Sequence, residues 1–276
     1  MINYPMLVYL SLVHLGAVYG LYLLPSSHVY SLIFYFWLFI VSGLGITAGA
    51  HRLWSHRSYD ATFTYRFLLM LMNSIANQGS IYHWVRDHRT HHKFSETEAD
   101  PHNAKRGFFF AHVGWLLVKK DQKVIEAGKK IPVYDLENDF AVMFQKKLNP
   151  FLPLFMCFVF PVLVSYHGWG EDIKHGFFVT GCLRYVMVLH FTWLVNSAAH
   201  LYGSKPYDPN INPSENQYVS YVALGEGWHN WHHKFPHDYA ASELGILNQF
   251  NLTKAFIDTC AFLGFVSNRK RVFWRS

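Results

Sequence analysis

Histidine is the residue type that stands out. The chain has 18 of them, and half fall into four short groups. His51 and His56 lie in HRLWSH, and His88, His91 and His92 in DHRTHH. His229, His232 and His233 lie in GWHNWHH, and His200 closes NSAAH. On a helix, residues three and four apart share a face. His88 is therefore expected to point with His91 and His92, and His229 with His232 and His233. Asn196 and His200 also share a face. His51 and His56 are five apart, about 140° around an ideal helix. Either they bind different metals or the helix ends between them. Nine imidazoles exceed the three or four protein ligands of a single zinc. They suit two metal ions with four or five nitrogen ligands each. Imidazole accommodates zinc, copper, iron and nickel alike, so the spacing does not choose the metal.

The other nine histidines are His14, His28, His83, His102, His112, His167, His175, His190 and His237. They lack paired spacing or sit in the wrong place, and no metal role is expected of them. The three cysteines, Cys157, Cys182 and Cys260, are far apart and flanked by apolar residues. They read as buried free thiols, not as a disulfide scaffold or a CxxC site.

The elements that position these groups are apolar. Of 276 residues, 51 % are hydrophobic and only 15 % charged, against about 25 % charged in a typical soluble domain. A bilayer core asks for about 20 apolar residues per helix. Four runs qualify or nearly qualify: 6–24, 29–50, 151–166 and 176–199. Residues 51–150 hold 15 of the 24 Lys and Arg, and 200–276 hold 7. In a four-span arrangement, 22 of the 24 then lie on one side, which is the cytosolic side by the positive-inside rule. All four histidine groups sit at or beyond that edge. The expected fold is all-α: four transmembrane helices and a helical cytosolic cap, 51–150 and 200–276, holding a dinuclear metal site in one domain, 1–276. The runs 67–72 and 107–118 are too short to span. They are either interfacial helices or packing under the cap. Arg184 falls inside the fourth span. A charge there costs about 2.5–3.5 kcal/mol on insertion scales, and pairing with a buried carbonyl or carboxylate is the expected reason for it.

At these residues the sequence resembles the membrane acyl-CoA desaturases of animals, the stearoyl-CoA desaturase type that includes insect homologues. The matching segments are GITAGAHRLWSHRSY, DHRTHHKFSETEADPHNAKRGFFFAHVGW, WLVNSAAHLYG and NPSENQYVSYVALGEGWHNWHHKFPHDYAASELG. The resemblance runs from about residue 7 to about residue 261. It implies a di-iron enzyme of the endoplasmic reticulum membrane, multi-pass, with both termini and the metal site cytosolic. Such an enzyme takes electrons from cytochrome b5 and its reductase, uses O2, and turns a saturated stearoyl-CoA or palmitoyl-CoA into a cis-monounsaturated one, most often at carbon 9. By motif, His51, His56, His88, His91, His92, His200, His229, His232 and His233 are implied iron ligands, and Asn196 reaches one metal through water. Zinc in a purified sample would not exclude iron chemistry.

The same resemblance puts Arg86, Asp87, Lys119 and Lys120 near the CoA. It puts Gln78, Trp84, Thr192 and Trp193 at the bend of an acyl tunnel, and Phe39 and Gly43 near its methyl end. Glycine at 43 leaves room for a longer chain. Two departures stand out. The first span starts about five residues in, where family members usually have a longer polar segment, which implies a natural short form or a trimmed chain. Gly79 stands where close relatives often have a polar residue, which puts one CoA-side contact in question. Histidine count does not separate desaturases from membrane di-iron fatty acid or alkane hydroxylases; only the detailed motif match favours desaturation. A metal transporter would place ligands near the bilayer midplane, not at one edge. No nucleic-acid partner is expected.

Overall fold

A computed structural model describes residues 1–274; Arg275 and Ser276, the end of the expected cap, lie outside the described residues. The chain is 66 % helix. Its only sheet among the described residues is a two-stranded antiparallel ribbon, Asp60–Ala61 with Val266–Ser267. Four helices are long and apolar enough to cross a membrane: Tyr4–Ser26, Val29–Ser55, Phe151–Trp169 and Ile173–Leu201. Each is longer than the apolar run that announces it. The second gains most at its end, because the helix continues past the apolar stretch as a π-wound segment, Gly45–Ser55.

Close backbone approach holds the spans together. A Cβ on Gly20 would lie 2.3 Å from the Phe178 carbonyl oxygen. Only glycine lets the first and fourth spans touch there, as small residues do between membrane helices generally. Gly45 does the same for the second span. A Cβ there would lie 2.3 Å from the Asn73 nitrogen, on the helix Phe63–Ala76. That helix contains the short apolar run 67–72. Leu69 and Met70 are fully buried in the core that the cap shares with the second span, while Phe63 and Leu68 remain about half exposed. The other short run, within 107–118, leads to Lys119 through a helix of π and α turns, with Phe109 exposed.

Arg184 is wholly buried. Its guanidinium donates to the carbonyls of Thr180 at 3.2 Å, Ile75 at 2.9 Å and Cys157 at 2.8 Å. It ties three apolar elements by their backbones, which agrees with a structural role. Cys157, Cys182 and Cys260 are free and buried.

Replacing Arg184 with Met leaves the Ile75 and Cys157 carbonyls without this donor. An unmade buried hydrogen bond costs about 1–3 kcal/mol. The variant is expected to lose about 3 kcal/mol of stability in detergent unfolding while keeping its metal content; an unchanged midpoint would rule out the clamp.

Candidate metal centre

The π-winding of Gly45–Ser55 decides where the first two histidines go. In this segment the backbone bonds i→i+5, and the His56 N–H still reaches the His51 carbonyl, at 3.1 Å. Residues five apart then fall nearly one turn apart, and the two imidazoles come together with ring centroids 4.8 Å apart. They fall in one group that could share a single ion. The helix does end between them, at Ser55. Isolated π-segments occur often at functional sites.

The nine imidazoles form two groups. The first is His51, His56, His88, His92 and His232; the second is His91, His200, His229 and His233. This corrects the simple helical-face expectation. Within Ile81–Phe94, His88 and His92 point one way and His91 the other. Within His229–Lys234, His229 and His233 share a group and His232 crosses over. Each H-x-x-H-H therefore serves both groups: the pair four apart enters one, and the residue between enters the other. The groups touch, with the His92 and His233 rings stacked 4.2 Å apart.

Within each group the Nε2 atoms face one another. The contacts are His51–His232 at 3.0 Å, His56–His88 at 2.8 Å and His92–His232 at 3.1 Å. In the second group they are His200–His229 at 3.0 Å and His229–His233 at 3.1 Å. Two nitrogens bound at right angles to one ion, each about 2.1 Å away, lie about 3.0 Å apart. Burial, reinforced by neighbouring histidines, holds His56, His88, His92, His229, His232 and His233 well below the usual imidazole range. They are neutral, so each group is a ring of inward donors. A shared cation is what such donor sets fit.

Three carboxylates stand behind the imidazoles, and the sequence reading missed them. Glu226 Oε2 lies 2.9 Å from His51 Nδ1. Asp100 Oδ1 lies 2.9 Å from His91 Nδ1, and Glu96 Oε1 lies 2.8 Å from His200 Nδ1. Asp100 and Glu96 accept the Nδ1–H of their imidazoles and leave Nε2 turned to the group, the usual way a ligand histidine is oriented; Glu226 Oε2 is in close contact with His51 but out of line for a hydrogen bond. Glu226 is itself held by the buried Arg52, whose Nε and Nη2 both donate to Oε1 at 3.0 and 2.7 Å. The signal available was proximity alone: Glu96 and Asp100 follow DHRTHH, and Glu226 precedes GWHNWHH. His102 packs against His91 with centroids 4.2 Å apart and forms a further close set with His91 and Asp100. His91 Nδ1 is already turned to Asp100, so His102 stands behind the second group.

Two cavities meet beside the histidines. A small one of about 60 Å³ is lined by Phe39 and Gly43, and by His51, His88, His91 and His229. A large one of about 530 Å³ is lined by Gln78, Gly79, Asp87, Lys120 and Trp193. Trp84, His88, Thr192 and Asn196 line both. Gln78 donates to Thr192 Oγ1 at 2.9 Å and accepts from Trp84 Nε1 at 3.4 Å, which fixes the wall where the cavities join. Asp87 and Lys120 form an ion pair at the large cavity. Arg86 and Lys119 line neither cavity. Asn196 ends the helix Arg184–Asn196, and a break at Ser197 separates it from His200.

Comparison with known proteins follows the same residues. A sequence model of the family described as fatty acid desaturase matches residues 27–247. Acyl-CoA desaturase 1 of Tachysurus fulvidraco is 54 % identical over 96 % of this chain and 79 % of its own length. Human stearoyl-CoA desaturase 5 is 52 % identical over 96 % of this chain and 79 % of its own. Human stearoyl-CoA desaturase is 53 % identical over 96 % and 74 %.

Replacing His92 or His232 with Ala is expected to lower the metal content of the purified protein, read by elemental analysis. His14→Ala, on the first span away from both groups, is expected to leave it unchanged. Full metal in His92→Ala would remove that residue from the ligand set.

Proposed function

This chain belongs to the fatty acid desaturase family, and we propose that it converts a saturated fatty acyl-CoA into the cis-monounsaturated acyl-CoA. The observation that carries the proposal is the junction of the two cavities beside two groups of inward imidazoles. An acyl chain lying through both would pass its middle carbons by the histidines. The reaction balances as R–CH2–CH2–R′ + O2 + 2 e⁻ + 2 H⁺ → R–CH=CH–R′ + 2 H2O. The metal must change oxidation state, which zinc does not do; iron is the proposed metal. The nine histidines are its proposed ligands, with Asn196 acting through water. Two irons would supply the redox centre at which O2 is used.

The chain's own residues do the rest. Asp100 and Glu96 hold His91 and His200 in the ligating tautomer, and Glu226 sets its charge beside His51. Lys120, with Asp87 beside it, offers charge at the large cavity for the anionic CoA, and Arg86 and Lys119 are proposed to act on the CoA phosphates outside it. Gln78, Trp84 and Thr192 form a fixed wall that bends the chain toward the histidines and sets the cis geometry, with Trp193 beside them. Phe39 and Gly43 bound the space for the methyl end. The apolar lining excludes water. Cytochrome b5 is the proposed electron donor and carbon 9 the proposed position. The proposed setting is the endoplasmic reticulum membrane, with the cap and termini cytosolic; the concentration of 22 of the 24 Lys and Arg in the segments 51–150 and 200–276 supports that orientation.

The test is expression in a host that lacks its own fatty acid desaturase, followed by lipid analysis. A new cis-monounsaturated acid is expected, and its bond position reads the regiochemistry. A hydroxy acid would move the activity to hydroxylation. A Cβ on Gly43 would lie 2.6 Å from Leu224 Cδ1, and both residues line the small cavity. Gly43→Phe is therefore expected to shift the product from C18 toward C16 chains; an unchanged chain-length profile would mean that residue 43 does not bound the tunnel.

A further inference from the structure

The carboxylates behind the two histidine groups are unequally compensated. The first group has five imidazoles and one contact to a carboxylate, Glu226. The charge of Glu226 is answered at once by Arg52, which is 1 % exposed and donates twice to Oε1. The remaining bonds of Arg52 go to the carbonyls of Tyr239 and Ala240 and to Asn251, none of them charged. Behind the first group, then, stands an ion pair of no net charge.

The second group has four imidazoles and two carboxylates, Asp100 and Glu96. Neither meets a Lys or Arg within ion-pairing distance among the described residues. Their other hydrogen bonds come from backbone N–H groups: Glu96 and His102 donate to Asp100 at 2.9 and 3.1 Å, and Lys105 donates to Glu96 at 3.1 Å; the His102 ring, which burial holds well below the usual imidazole range, lies 3.9 Å from Asp100. Peptide dipoles make these carboxylates comfortable but do not cancel their charge. Asp100 is 3 % exposed, so water screens it little. Two anions reach the second group through His91 and His200, and no net charge reaches the first.

We infer that the two metal positions differ in reduction potential, and that the first electron goes to the position held by His51, His56, His88, His92 and His232. This rests on the proposed di-iron reading. A carboxylate accepting the Nδ1–H of a ligand makes its Nε2 a stronger donor. Two such ligands, with two uncancelled charges in a low-dielectric site, favour the higher oxidation state at the second group. Neutral imidazoles alone, backed by a compensated pair, favour the lower state at the first. The step is a one-electron reduction of one ferric ion to ferrous by an outside one-electron donor. The order makes Glu96 and Asp100 positioning residues that also set which ion is reduced first.

The experiment is a potentiometric titration of the full chain, loaded with iron-57 in lipid nanodiscs and followed by Mössbauer spectroscopy. Two separate one-electron waves are expected, with one ferric and one ferrous ion between them. Glu96→Gln keeps an acceptor for His200 and removes the charge. It is expected to lower the ferric-to-ferrous ratio of the low-potential wave about tenfold at fixed potential, the scale of changes behind a ligand, which is about 59 mV for one electron. The high-potential wave should stay in place. Asp100→Asn should do the same through His91, and reads the effect should Glu96→Gln fail to hold its iron. Reduction of both ions in one wave, or movement of both waves alike in these variants, would overturn the asymmetry. Fewer than two irons in the unmodified protein would overturn the di-iron reading itself.

Discussion

Lone pairs aimed at one another are the constraint around which this chain is arranged. Eight of the nine imidazoles turn Nε2 toward another Nε2 at 2.8–3.1 Å, and His91 completes the second group. Without a cation each such contact is at best one hydrogen bond between two imidazoles, and lone pairs left over in a largely buried place are unsatisfied, at a cost of about 1–3 kcal/mol each. The donor set is therefore better satisfied as a ligand set. Its members come from the end of the second span, from Ile81–Phe94, from the end of the fourth span and from His229–Lys234. Structural metal sites turn binding energy into folding energy, and here the same ions would fasten four distant segments into one cap.

Orientation has to be fixed before such a set can close. Asp100 and Glu96 each assign the tautomer of one imidazole, while Glu226 lies against His51 and is fixed from behind by Arg52. Burial alone would push the Glu226 carboxyl up, but the Arg52 guanidinium and His51 outweigh it and hold the group below the ordinary range. Asp100 and Glu96 are likewise held low against burial by the histidines they face. Breaking a buried pair by removing one partner typically costs about 3–5 kcal/mol. Arg52 thus matters to the histidine group although it touches no imidazole: it keeps charged the one carboxylate that lies against His51.

The spans were legible because an uncharged apolar run of bilayer length has few other uses, and the one-sided basic residues gave them an orientation to test. The bland account of Arg184 was legible too, since no cationic or anionic partner lies near it in the sequence. What escaped was geometry finer than a helical wheel. Composition does not report whether a turn bonds i→i+4 or i→i+5, so His51 and His56 looked too far apart in angle to meet. Helical spacing showed that His88, His91 and His92 are neighbours. It did not show that the middle residue lies far enough around the helix to serve a second group. The carboxylates were invisible for another reason: Glu226 acts on His51 across 175 residues of chain, and nothing local marks the contact.

The π-segment answers a problem of reach as well as angle. A straight helix running on from Gly45 would carry His51 and His56 to different sides, and only one could meet a ligand set that also draws on Ile81–Phe94. Wider winding brings both to one side, at the cost of a poorer backbone ladder. The structure offsets that cost with packing. Every residue from Gly45 to Ser55 is buried, Tyr59 donates to the Ala48 carbonyl at 2.8 Å, and Ser55 donates to Ala50 at 2.7 Å. Gly45 lets Phe63–Ala76 press against the segment where it begins. The irregular turn, the close-packed helix beside it and the five-histidine group are thus one device: relaxing the turn to an ordinary helix would bring His51 and His56 out of register with each other, and the packing around Gly45–Ser55 prevents it.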